Sequence, residues 1–82
     1  MLMKVRKIIN EFDPLGLLPY APPDEYEGEI RGIILFLEDN KGCDLAVLAN
    51  QIFETFKRTL GVDAFRKSIE DCRQVAYKIL SR

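Results

Sequence analysis

Apolar residues recur three and four positions apart along four stretches of the chain, the spacing of helices that each bury one face. Between Leu2 and Phe12 the apolar positions are Leu2, Val5, Ile8, Ile9 and Phe12, with Lys4, Lys7 and Glu11 behind them. From Glu25 to Asp39 they are Tyr26, Ile30, Ile33, Ile34 and Leu37. From Leu45 to Leu60 the set is Leu45, Leu48, Ala49, Ile52, Phe53, Phe56 and Leu60. From Ala64 to Leu80 it is Phe65, Ile69, Cys72, Val75, Ala76, Ile79 and Leu80. The alternation of a half-buried strand is absent, so the pattern predicts an all-α chain with helices over 2–12, 25–39, 45–60 and 64–80.

The boundaries carry their own chemistry. Asp24 is placed to cap the second helix, with Glu27 completing a capping box, Asp44 to cap the third, and Asp63 to cap the fourth. Cys43 precedes the third helix where it can staple against Leu48, and Gly61 suits the left-handed residue that ends that helix. Connections of about four residues or fewer make the last three helices antiparallel neighbours. The first connection, Asp13 to Pro23, reads DPLGLLPYAPP. It is too proline-rich for a helix and too apolar, at Leu15, Leu17, Leu18 and Tyr20, for a solvated linker. The expected architecture is a small four-helix bundle-like domain, with this segment as an ordered Pro-rich strap between its first two helices. Asp13 and Pro14 would open the strap's first turn, and Gly16 would supply a backbone angle other residues resist.

Eighty-two residues make one domain of 1–82, and 48% hydrophobic with 30% charged residues is a globular composition. The net charge of −1 gives no general pull toward nucleic acid or an anionic membrane. The charge is unevenly spread. Glu11, Asp13, Asp24, Glu25, Glu27 and Glu29 fall in a stretch without a base, whereas bases outnumber acids from Glu54 to Arg82. The opening residues include Lys4, Arg6 and Lys7 and lack the continuous apolar run of a signal peptide or membrane span. A cytoplasmic location is expected, with Cys43 and Cys72 as unpaired thiols. A bridge between them would have to close about 12 Å along antiparallel helices.

The chain has no histidine. That removes the commonest general acid/base and the commonest transition-metal ligand, and no phosphate loop, nucleophile elbow or triad takes their place. No cofactor and no catalytic set are expected. The acids of the second helix read first as residues suited to a helix start. Of that cluster only Glu25 and Glu29 have the four-residue separation that places two ligands together on a helix, and with Asp13 they form the alternative reading, a metal or small-ligand site. A third reading, nucleic-acid binding through Arg66, Lys67, Arg73, Tyr77 and Lys78 of the fourth helix, is weakened by the interrupting Glu70 and Asp71. One feature breaks the ordinary pattern. Gly28 and Gly32 sit one turn apart beside Leu35, each costing about 1 kcal/mol against alanine within a helix. Something should pack closely there, either the strap or the first helix, or else another protein chain.

The segment Asn10-Glu11-Phe12-Asp13-Pro14-Leu15-Gly16, followed by Ala21-Pro22 and Asp24-Glu25-Tyr26, resembles the YugE-like family of small bacterial proteins of unknown function. The specific likeness is confined to Asn10–Tyr26; members often carry Trp where this chain has Phe12. The resemblance implies a compact helical fold in a bacterial cytoplasm and no assigned catalytic residues. It leaves the function open; the missing catalytic set and the two-sided second helix make the leading expectation a non-enzymatic interaction or regulatory module, of adaptor or immunity type. It would bind a protein partner or a second copy of itself, as a homodimer, through Asp13, Pro14, Leu15, Gly16, Leu18, Tyr20, Gly28, Gly32 and Leu35.

Overall fold

A computed structural model describes residues 2–16 and 25–81. Four helices are present there: α1 (Leu2–Phe12), α2 (Glu27–Asp39), α3 (Leu45–Leu60) and α4 (Ile69–Leu80). Consecutive helices pack side by side and α4 closes the ring against α1, so the all-α, four-helix arrangement of the sequence pattern is what the chain adopts. No helix among the described residues is long and apolar enough to cross a membrane.

The predicted stripes meet in the middle. Val5, Ile9, Ile30, Ile33, Leu48, Ile52, Cys72 and Ala76 are all buried. Phe56 is the hub of an aromatic cluster: Phe65 stacks on it with ring centroids 5.7 Å apart, while Tyr26 and Phe12 meet it edge-on at 5.9 and 6.1 Å. Such ring pairs add about 0.5–1.5 kcal/mol beyond the area they bury. The cluster ties the end of α1, the start of α2, the middle of α3 and the chain before α4 into one core.

Two caps stand where their residues predict. The Asp44 carboxylate accepts from the Val47 amide at 2.9 Å, satisfying an N–H that the first turn of α3 leaves free. Gly61 ends α3 with its amide donating to the Lys57 carbonyl; its φ of 89° is one glycine adopts freely, but its ψ of 151° places it outside the left-handed helical region expected there.

Other boundaries differ from expectation. The last helix starts at Ile69 rather than Ala64, and its cap is Ser68 rather than Asp63. The Ser68 hydroxyl accepts from the Asp71 amide while the Asp71 carboxylate accepts from the Ser68 amide, a reciprocal box that satisfies two free donors. Phe65, assigned to the helical stripe, is buried from the connection instead, its amide turned back to the Gly61 carbonyl at 2.9 Å. Its four-residue separation from Ile69 mimics a helical repeat. The α3–α4 connection is accordingly longer than the four residues expected. The second helix starts at Glu27, not Glu25, with Tyr26 before it and no side-chain cap. Of the proposed Asp24–Glu27 box, Asp24 lies outside the described residues, and Glu27 is taken up by Arg6 of α1. Leu17, Leu18 and Tyr20 of the strap also lie outside them.

Candidate functional site

Burying Ile30, Ile33 and Leu37 turns the opposite side of α2 outward, because residues two positions from a buried one point away on a helix. That side carries Gly28 and Leu35, both exposed, with the half-buried Gly32 at its edge. Leu35 is 61% exposed. Beyond the glycines' immediate neighbours and the backbone of α2 itself, no heavy atom of the described residues stands within 4 Å of where a Cβ on Gly28 or Gly32 would be. The close packing expected there from the first helix is therefore absent. Helix α1 lies instead against the flank of α2, where Arg6 forms an ion pair with Glu27. Its Nε reaches the two Glu27 oxygens at 3.1 and 3.2 Å.

Where α1 and α2 meet, Leu2, Arg31, Ile34 and Leu35 line a shallow hollow of about 310 Å³. Leu2 and Met3 are exposed at the start of α1, Met3 to 79%. Apart from Leu35, these residues were not marked by the sequence. Leu2 and Ile34 fall on the apolar stripes and read as core; only the placement of α1 beside α2 leaves them at the rim. With Leu35 they make an apolar feature beside the exposed glycine side of α2, and the guanidinium of Arg31 supplies its charge.

The strap's first turn is built as its residues suggest. Pro14 is buried, Leu15 half-buried and Gly16 exposed with φ 67°. The Gly16 amide donates to the Asp13 carbonyl at 2.9 Å. The Tyr26 hydroxyl donates to Asp13 Oδ1 at 2.6 Å and accepts from the Leu15 amide at 3.1 Å. The described part of the strap thus meets the chain at Tyr26, just before α2, and does not come within 4 Å of the Gly28 or Gly32 Cβ positions.

The acids do not assemble. Glu25 precedes α2, so Glu25 and Glu29 are not two residues of one helix, and Asp13 is engaged by Tyr26. Among the described residues no group of three His, Cys, Asp or Glu side chains is placed to hold a metal ion. Glu27 is held below the ordinary carboxylate range, chiefly by the hydrogen bond from Arg6, and the Arg6 guanidinium is raised by the same bond.

On α4, Arg73 pairs with Glu70 at 3.7 Å, while Asp71 is committed to its cap. Arg66 and Lys67, expected on this helix, lie in the connection before it, and Arg66 Nε donates to the Asp63 carbonyl at 3.3 Å. The basic residues therefore do not form one helical face. A cleft of about 240 Å³ between α1 and α4 is lined by Lys67 and Lys78 but equally by Glu11 and Asp71. Both cysteines are free; Cys72 is buried and Cys43 half-buried.

No family model matches the chain, and neither a curated protein nor a solved structure matches it. The geometry of the molecule carries the functional reading.

Proposed function

We propose that this protein is a non-enzymatic, cytoplasmic interaction module of adaptor or regulatory type, and that it engages a protein partner or a second copy of itself through the outward side of α2. One observation carries the reading: Leu35 stands exposed beside two helical glycines that no described part of the chain covers. Glycine inside a helix costs stability, and close approach of another chain to the bare backbone is one use that offsets it. The adjoining hollow at Leu2, Ile34 and Leu35 extends the apolar area, as interaction surfaces on small proteins require. The lack of histidine and the scattering of the acids favour binding over catalysis. Membership in the YugE-like family, from the resemblance at Asn10–Tyr26, is part of the proposal and bears on the fold, leaving the function to the surface of α2.

The test is a pair of variants, Gly28→Leu and Leu35→Glu, compared with the parent by size exclusion with light scattering and by pull-down from the native cell. Circular dichroism should show an intact helical fold in both. Loss of self-association or of a captured partner is the expected result. Unchanged assembly and capture in both folded variants would remove α2 as the contact surface.

A further inference from the structure

The outward side of α2 carries unpaired charges as well as bare glycines. Gly28, Gly32, Leu35 and Asp39 follow one another at helical spacing and form one line along that side, with Arg31 and Glu38 beside it toward α1. Arg31, Leu35, Glu38 and Asp39 are all exposed. The side chains of Arg31, Glu38 and Asp39 make no hydrogen bond or ion pair with any described residue. The Arg31 charge bears on Glu27, but that carboxylate is bonded to Arg6. Arg31 stands four residues before Leu35, and the two acids stand three and four residues after it. Opposite charges therefore flank Leu35 at about 5–6 Å along the axis on either side. The line is self-complementary about Leu35.

We propose that a second copy of this chain occupies that side, with the two α2 helices packed antiparallel across a twofold axis at Leu35. The proposal rests on the reading of α2 as an interface and commits it to one occupant. In this register each Leu35 packs on its own copy, and each Arg31 comes level with Glu38 and Asp39 of the other helix. The twofold axis makes that pairing twice, so a second copy supplies by symmetry the charges and spacing that any other partner would have to match. Parallel pairing would set Arg31 against Arg31 and acid against acid, with both helix dipoles pointing the same way. Gly32, one turn from Leu35, puts no side chain in the way of the second backbone. The hollow at Leu2, Ile34 and Leu35 borders the axis and widens the apolar contact. A contact built on one helix pair is small, so the dimer is weak and grows with concentration.

Sedimentation equilibrium of the full chain should show a monomer–dimer equilibrium below about 1 mM, the weak end of specific binding. Arg31→Glu leaves only acids beside Leu35, and Glu38→Arg with Asp39→Arg leaves only bases. Each of these chains alone should associate at least about ten-fold more weakly, because symmetry doubles every like-charge contact. An equimolar mixture of the two should recover the dimer, since each supplies the charges the other lacks; circular dichroism confirms that both are folded. Independently, Leu35→Cys at the axis should oxidise to a disulfide-linked dimer. Gly28→Cys, about 21 Å from its own copy along the helices, should not. A folded mixture no stronger than the single chains, or Gly28→Cys linking as readily as Leu35→Cys, overturns the antiparallel register. A parent that stays monomeric to about 1 mM overturns the second copy as occupant. In either case α2 stands as an interface if Leu35→Glu abolishes assembly or the capture of another protein, and falls with the proposal if it changes neither.

Discussion

Two side chains set the solution chemistry one residue at a time. Burial first, and then the neighbouring Asp71 carboxylate, push the Cys72 thiol up to about 11. Below the ordinary thiol pKa of about 8.5 both folded and unfolded chains keep that proton, and no stability is lost. As pH rises from there toward 11, the unfolded chain ionises first and the fold weakens. Urea midpoints should fall over that window and fall less in Cys72→Ala. A thiol reagent at pH 8 should modify the half-buried Cys43 first and reach Cys72 only on unfolding. At Ser68 the hydroxyl accepts the Asp71 amide, so Ser68→Ala should cost about 1 kcal/mol in denaturant unfolding. Both features are visible in the chain in outline. Cys72 lies on an apolar stripe, and Ser68 stands three residues before an acid. The cap was still misplaced at Asp63, because a cap candidate is recognised only relative to where the helix begins, and that was set by the burial of Phe65.

The helices themselves were legible from spacing alone. An apolar stripe has one way to leave water in a chain this short, and α1 and α3 keep the bounds their spacing predicts. The starts of α2 and α4 were not legible, for the same reason in each case. Tyr26 and Phe65 are apolar, at helical spacing from the following stripe, and buried by turns rather than by helices. Periodicity records which residues face the core, not the backbone that brings them there. The glycines of α2 give the sharpest prediction for a single element. With nothing beyond the backbone of α2 itself within 4 Å of either Cβ position among the described residues, Gly28→Ala and Gly32→Ala should each stabilise the folded monomer by about 1 kcal/mol in thermal or urea unfolding. If the bare surface serves a partner, the same changes should weaken association. A gain in stability coupled to a loss of binding distinguishes an interface from a mere imperfection of the helix.

The molecule as a whole has a thin margin, since a domain of this size buries only roughly 60–65% of its unfolded surface. Phe56, touched by rings from α1, the start of α2 and the α3–α4 connection, holds most of its parts together. Phe56→Ala should cost about 3–5 kcal/mol, a large share of the total stability, and lower the thermal midpoint steeply. The Arg6–Glu27 pair fastens α1 to α2 across the ring. Because Arg6 holds Glu27 below its usual carboxylate range, the pair contributes stability above the ordinary glutamate pKa and loses it as pH falls through the lowered one. Acid titration of unfolding should show this limb, and Glu27→Gln should flatten it. The pattern of apolar residues was enough to dictate four helices and most of the core, since hydrophobic burial depends on side-chain type and spacing, although Leu2, Ile69 and Leu80 of the stripes sit at helix ends and are exposed. Partnerships between distant residues arose only when the ring of helices closed. Arg6 finds Glu27, Tyr26 finds Asp13, and Leu2 and Ile34 reach the surface through contacts across many intervening residues, which no local periodicity encodes.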